Sequence, residues 1–236
     1  MSMHFEEGCS ADVPFPVSIL AVPRAVRLVA TARLRDPVLL GLVSQPMLDD
    51  LAEIEGATSA RLHEERFAAT SYPSHRPHAN FVNASFTYFR PREMNRFNGP
   101  GRGAWYAAFA VETSLAEVSW HMHRELSRVQ DYHAVVEYAE IWASFAGAFV
   151  DLREQDPPPS CLDPDPAIGY PAGNALAAET MTLGHNGIVY PSVRHAGGTC
   201  LVALWPHTVQ SVAQGSIWRM SWVGEPQPVI QAVCHG

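Results

Sequence analysis

The chain has 236 residues, of which 47% are hydrophobic and 17% charged, and its formal net charge is −8. The apolar content is ordinary for a globular protein, and the charge is too low for a disordered one. No segment approaches the run of about 18 apolar residues that a membrane span needs. Residues 1–12 contain acidic side chains and lack the apolar core of a signal peptide. We therefore expect a soluble, cytoplasmic protein with one large domain.

The basic residues are unusual, because all 16 are arginine and the chain contains no lysine. This excludes Schiff-base and P-loop lysine chemistry. An acidic chain without a dense basic run also argues against direct binding of nucleic acid. Four arginines lie within a short central segment: Arg90, Arg92, Arg96 and Arg102. Such a cluster could hold a small diphosphate through bidentate hydrogen bonds, or it could be a set of solvated surface cations.

The residue types that bind metals are poorly placed for a metal site. The four cysteines are far apart and form no CxxC pair: Cys9, Cys161, Cys200 and Cys234. Buried, reduced thiols are the simpler interpretation. On a helix, His121 and His123 point apart. Asp163 and Asp165 lack the glycine and the distal glutamate of a calcium loop. We expect no metal.

The first part of the chain shows few regular elements. Residues 1–23 contain three prolines and are predicted to be an extended segment, and residues 24–30 a first strand. Helices are predicted at 46–56, after a Ser-Gln-Pro start, and at 59–67. The stretch 72–79, rich in histidine and proline, is predicted to be a loop.

The central part is richer in regular patterns. Strands are predicted at 83–89 and 104–111, and a helix at 114–128. One face of this helix is apolar, with residues three and four apart: Leu115, Val118, Met122, Leu126 and Val129. Two further strands are predicted at 132–142 and 146–152.

The C-terminal part begins with a proline-rich loop at 154–171, long enough to act as a lid or a partner surface. A short helix at 175–183 follows. Strands are then predicted at 187–193, 199–205, 208–213 and 216–222, with Gln214-Gly215 as a turn. Many short strands and few helices predict an α+β fold with a mixed or largely antiparallel sheet and flanking helices.

The side chains of Glu117 and Ser192 could take part in catalysis or ligand binding. Ser114 and Glu117 have the spacing of a capping box, in which the glutamate bonds back to the helix start. The same carboxylate could instead face a cleft and stabilise a developing cation. Ser192 lacks the GxSxG elbow of a serine hydrolase, so it is either a ligand-binding hydroxyl or a turn serine. The glycines at 99–103 precede a strand, and they do not form a GxGxxG dinucleotide motif.

Two sequence blocks resemble the RES domain family, which is named for its Arg, Glu and Ser. The first block contains Asn95-Arg96-Phe97-Asn98-Gly99, then Ala104-Trp105-Tyr106, then Glu112-Thr113-Ser114-Leu115-Ala116-Glu117-Val118. The second, residues 186–204, contains Gly187-Ile188-Val189-Tyr190-Pro191-Ser192-Val193-Arg194. Residue 24 would begin a single RES-like domain that extends to residue 236, with an insertion at about 31–90.

The resemblance implies a fold like that of the ADP-ribosyltransferases and chemistry on NAD as the substrate. Members of the family are typically toxins of bacterial toxin–antitoxin pairs, and a helical Xre-type antitoxin blocks their cleft. Glu117 would stabilise the cationic ribose, assisted by Arg96. The remaining candidates would bind the dinucleotide: Arg27, Arg96, Tyr106 and Ser192, then Asn98, Tyr190 and His121. Arg27 and Arg96 would hold the diphosphate, and Tyr106 would stack on the nicotinamide.

Three functions are compatible with this set of residues. The first is a toxin that consumes NAD by hydrolysis or phosphorolysis of the nicotinamide–ribose bond. The second is a protein ADP-ribosyltransferase, with a side chain of a target protein as the acceptor. The third is a module that binds a nucleotide without turning it over, in which Glu117 only caps a helix.

Overall fold

The computed structural model describes residues 14–31, 79–87 and 94–233. These form seven strands and three α-helices, with two short 3₁₀ turns at Ser160–Leu162 and Pro206–Thr208. In chain order the main elements are β1 (Val17–Ala30), α1 (Ala79–Thr87), β2 (Trp105–Ala108), α2 (Val111–Val129), β3 (His133–Asp151), α3 (Pro166–Thr182), β4 (Gly187–Pro191), β5 (Thr199–Ala203), β6 (Gln210–Val223) and β7 (Val229–Val233).

The strands form one mixed sheet in the order β1-β2-β5-β4-β3-β6-β7. The β3–β4 pair is parallel and the other pairs are antiparallel. Because β1 also pairs with β3, the first five strands of this order close into a ring, and β6 and β7 extend from it. The predicted α+β class with a mixed sheet is confirmed.

Side chains from all five strands of the ring pack in one buried cluster: Ala25, Trp105, Phe149, Val189 and Leu201. Val82 and Phe86 of α1 join this cluster. On the opposite face of the sheet, the apolar side of α2 packs Leu115 and Leu126 against β1, β3 and β6. Helix α3 covers the neighbouring part of that outer face, next to β4 and β5. Both helices that flank the candidate site therefore lie outside the ring.

The predicted strand at 83–89 is wrong, because residues 79–87 form helix α1. Val82 and Phe86 are four positions apart, which places both on one helical face toward the ring. Gly103 allows this approach, since a Cβ there would overlap the backbone of Phe86. The aromatic content of the segment favours a strand, but packing of Val82 and Phe86 against the ring stabilises a helix.

In two places, a pair of segments predicted as separate strands forms one long strand. The segments 132–142 and 146–152 join in β3, where Gly147 adopts a φ of 116°. The predicted turn Gln214-Gly215 lies inside β6, at an irregularity opposite β3. Glu140 holds this irregularity, because its buried carboxylate accepts hydrogen bonds from the Ser216 N–H and the Trp218 indole. Strand β7 was not predicted.

Other boundaries also move. Strand β1 begins at Val17 rather than at residue 24, and α3 begins at Pro166 rather than at 175. Asp165 caps α3 by accepting a hydrogen bond from Ala167 N–H, and the last third of the predicted proline-rich loop is helical. The helices predicted at 46–56 and 59–67 lie outside the described residues. Among the described helices, none is long and apolar enough to cross a bilayer.

The end of β3 offers a test of the ring closure. Asp151 accepts hydrogen bonds from Ser18 of β1 and from the guanidinium of Arg153. The Arg153 bond, the largest cause, lowers the pKa of Asp151 from 3.8 to about 2. This stabilisation is therefore present above pH 4 and is lost as the pH falls toward 2.

We expect Asp151→Asn to lower the free energy of unfolding by about 1–2 kcal/mol at pH 7, a value discounted for the exposure of Arg153. The difference from the wild type should shrink at pH 3. Urea unfolding at both pH values measures it, with Glu154→Gln in the same segment as a control of equal charge change. A difference that stays constant with pH would contradict the role of the carboxylate.

Candidate active site

Glu117 is placed by the start of α2. The helix begins at Val111, three residues earlier than predicted, so Ser114 lies inside it and is not its N-cap. The Ser114 hydroxyl donates to the carbonyl of Val26 in β1, at 2.8 Å. The capping box is therefore wrong as an interpretation. Glu117 instead extends across to the turn that follows β4.

Ser192 is the hydrogen-bond partner of Glu117. Its hydroxyl donates to Glu117 Oε1 at 2.6 Å. The backbone N–H groups of Arg194 and His195 donate to the same hydroxyl oxygen, at 3.2 and 3.1 Å. With these two N–H groups as donors, the hydroxyl proton is free to point at the carboxylate. The turn is held to α2 by a 2.8 Å contact between His195 Nδ1 and Thr113 Oγ1.

Two groups that remain uncharged lie behind the carboxylate. The Cys200 sulfur is 4.0 Å from Glu117 Oε1. Burial, followed by the charge of Glu117, raises the pKa of Cys200 to about 12. Burial also raises the pKa of Tyr190 well above its usual value. At neutral pH this wall therefore supplies a neutral thiol and a neutral phenol. Cys161 and Cys200 are buried free thiols, as predicted.

Arg96 is a buried residue that organises the neighbouring chain. Its Nη1 donates to the carbonyls of Cys161 and Asp163, at 2.6 and 2.9 Å. Its guanidinium carbon lies 5.6 Å from the centre of the Tyr170 ring in α3. A Cβ at Gly173 would overlap the Arg96 carbonyl, so glycine there lets α3 approach closely. Arg96 thus fixes the segment 160–165 beside the site.

Tyr106 and Asn98 form a second hydrogen-bonded unit. The Tyr106 hydroxyl accepts from the Phe97 N–H at 2.9 Å and donates to Asn98 Oδ1 at 2.8 Å. Burial raises the pKa of Tyr106 above its usual range. Arg102 closes the loop by donating to the Phe97 carbonyl at 3.0 Å. Tyr106 also packs against the buried cluster beneath α3.

The structure does not bring Arg27 to this group. Its neighbour Leu28 packs with Leu115 of α2, so Arg27 points to the opposite face of β1. Its guanidinium carbon is 5.1 Å from the centre of the Trp105 ring, in the cluster inside the ring of strands. Arg90 and Arg92 lie outside the described residues.

Sequence reasoning missed Arg194 as a member of the site. Its guanidinium carbon lies 3.5 Å from the centre of the Trp120 ring, and Trp120 is one helical turn after Glu117. Desolvation by the surrounding side chains, then the charges of Arg124 and Arg194, lower the pKa of His121 to about 4. The available signal was the position of Arg194 two residues after Ser192.

The described residues contain no group of three or more His, Cys, Asp or Glu placed to hold a metal ion.

A carboxylate bound by a serine, with arginines nearby on an α+β fold, is the combination for which the RES family is named. The RES domain matches residues 70–223, more than half of the chain. The chain therefore belongs to the RES domain family.

Two known proteins are similar to this chain. It is 24% identical over 186 residues to the uncharacterized protein y4oC of Sinorhizobium fredii (strain NBRC 101917 / NGR234), covering 78% of this chain and 76% of that protein. It is also similar to a chain of the crystal structure of the M.tuberculosis MbcT-MbcA toxin-antitoxin complex, at 15% identity and a TM-score of 0.36, covering 60% of this chain and 79% of that one.

The packing of α3 against the Arg96 backbone can be tested by replacing Gly173 with alanine. Gly-to-Ala exchange inside a helix ordinarily stabilises it by about 1 kcal/mol. We expect Gly173→Ala to destabilise this protein by about 1–3 kcal/mol, because the new Cβ meets the Arg96 carbonyl. Urea unfolding measures the change.

The matched control is Ala175→Gly, two residues further along α3 at an exposed position. It should cost about 1 kcal/mol, as in an ordinary helix. A stabilising effect of Gly173→Ala would show that α3 and the Arg96 segment are not in contact.

Proposed function

We propose that this protein is the toxin of a bacterial toxin–antitoxin pair and consumes NAD by cleaving the nicotinamide–ribose bond. The observation that carries the proposal is the 2.6 Å hydrogen bond between Ser192 and Glu117. It fixes the carboxylate between α2 and the turn after β4, next to Cys200 and Arg194. Membership of the RES family supports the assignment to NAD.

The reaction places positive charge on the ribose. As the bond between ribose C1′ and the ring nitrogen breaks, its electron pair stays with nicotinamide, which leaves as a neutral molecule. The ribose carbon becomes cationic, as in the oxocarbenium-like transition state of glycoside cleavage. The Glu117 carboxylate can stabilise that cation. Because Ser192 already holds the carboxylate in place, the carboxylate does not have to reorganise during the reaction. Water then forms the new bond to C1′ and releases one proton to the solvent, or a phosphate oxygen forms that bond.

The other residues have supporting roles in this proposal. Tyr106 offers an aromatic face to the cationic nicotinamide ring, while its hydroxyl is held by Phe97 and Asn98. Tyr190 packs edge-on against Phe97, with ring centres 4.9 Å apart, and forms part of the wall beside Glu117. Arg96 keeps segment 160–165 in position and adds positive charge. The chemistry requires no metal.

A partner that blocks the site follows from this chemistry, because an unrestrained NAD-consuming enzyme would exhaust the NAD of its own cell. We propose an Xre-type antitoxin, as the family resemblance implies, and a cytoplasmic location, where NAD is available. An acidic segment of the antitoxin would complement the arginines around Glu117. Coexpression with the neighbouring gene product should abolish toxicity, and unchanged toxicity would contradict this part of the proposal.

Replacing one carboxylate tests the mechanism. We expect Glu117→Gln to lower the turnover number for nicotinamide release from NAD by about 10²–10³-fold or more, because the amide is not charged. Glu125→Gln, on the same helix, is the control, because its carboxylate pairs with exposed Arg128. Release is measured with purified protein by chromatography, with and without inorganic phosphate.

Each outcome assigns the acceptor or rejects the proposal. Release that requires phosphate means phosphorolysis, and release without phosphate means hydrolysis. Labelled ADP-ribose on a cell protein, with bulk NAD unchanged, would replace the proposal by a protein ADP-ribosyltransferase. Tight NAD binding without release over hours would replace it by a binding module. Full activity of folded Glu117→Gln would exclude the assigned mechanism.

A further inference from the structure

We infer that Arg194 is the residue that binds the diphosphate of the dinucleotide, directly beside Glu117. This inference rests on the proposed function. Arg194 is not among the site residues predicted from the sequence. It also gives the diphosphate a different partner from Arg27, which lies on the opposite face of the sheet.

The backbone fixes Arg194 relative to the reacting centre. Its N–H donates to the hydroxyl oxygen of Ser192, and the same hydroxyl donates to Glu117. The guanidinium then stacks on Trp120, whose position three residues after Glu117 places both side chains on one side of α2. Two independent contacts therefore hold the cation next to the carboxylate.

The guanidinium retains donors for a ligand. Its Nη2 donates to the carbonyl of Pro164 at 2.8 Å. Within the described part of the chain, this is the one hydrogen bond that the Arg194 side chain donates, whereas arginine has five N–H donors. Arg96, by contrast, is buried and already uses Nη1 on two carbonyls. A half-buried, stacked arginine with free donors suits bidentate binding of phosphate oxygens.

The local charge also points to an anion. Arg96 and Arg124 lie close enough to Arg194 to lower its pKa, in addition to the larger effect of burial. The ion pairs among the described residues involve Arg128, Arg153 and Arg219. Within the described residues, no carboxylate therefore lies within 4.0 Å of Arg96, Arg124 or Arg194. Arg96, Arg124 and Arg194 therefore place three guanidinium groups close to one another, and the two negative charges of a diphosphate would offset their mutual repulsion.

A purely structural role must be distinguished from binding, because Arg194 also joins segment 160–165 to α2. Nicotinamide riboside provides the distinction, since it has the scissile bond of NAD and lacks the diphosphate. Loss of a diphosphate contact weakens the use of NAD and leaves the riboside unaffected. Loss of a structural link impairs both substrates to the same extent.

The experiment compares the wild type, Arg194→Ala, Arg194→Lys and the control Arg128→Ala, all checked by circular dichroism and thermal unfolding. We expect Arg194→Ala to raise the dissociation constant of ADP-ribose, measured by calorimetry, by about ten- to a hundredfold. Arg194→Lys should fall between alanine and the wild type, and Arg128→Ala should match the wild type. The kcat/KM for nicotinamide riboside should change less than about twofold in Arg194→Ala.

An ADP-ribose affinity unchanged in Arg194→Ala would overturn the inference, as would an equal loss of activity on NAD and on the riboside. The proposed function fails in a different way. A wild-type protein that binds ADP-ribose through Arg194 but cleaves no NAD would refute the function and support the binding site. A protein that cleaves NAD equally well with and without the Arg194 side chain would support the proposed function and refute the binding site.

Discussion

The closing pair between β1 and β3 is the constraint on which the rest of this structure depends. Strand β3 is 19 residues long and uses one edge for β1 and the other for both β4 and β6. Once the five strands form a ring, one face of every strand is committed to a buried apolar interior. The candidate site lies outside this interior, where the ends of β4 and β5 meet α2.

The site itself depends on where one helix begins. Val111 starts α2, and the Ser114 hydroxyl is used to attach the first turn to β1. A start at Ser114 would have turned Glu117 back onto its own helix as a capping residue. The earlier start instead directs the carboxylate toward Ser192, so a difference of three residues separates a structural glutamate from a candidate catalytic one.

Arginine takes two distinct roles around this carboxylate. Arg96 is buried and bonded to backbone carbonyls, so it organises the segment between β3 and α3. Arg194 is half-buried and stacked on Trp120, so its planar group is held while part of it faces the site. Lysine could replace neither residue well, because one needs a fork of donors and the other a flat cationic surface. The absence of lysine from the whole chain agrees with these demands.

The sequence by itself determined the α+β class, the apolar face of α2 and the family, because periodicity and motif spacing are local properties. It also identified Glu117, Ser192, Tyr106 and Arg96 as a group, although it could not distinguish a cap from a cleft residue. Only the tertiary structure decided that 79–87 is helical, that β3 and β6 are each continuous, and that Arg27 and Glu117 face opposite sides of the sheet. These outcomes depend on contacts between segments far apart in the chain, such as Phe86 with the ring interior and Glu140 with β6. A local pattern contains no information about which distant partner will satisfy it.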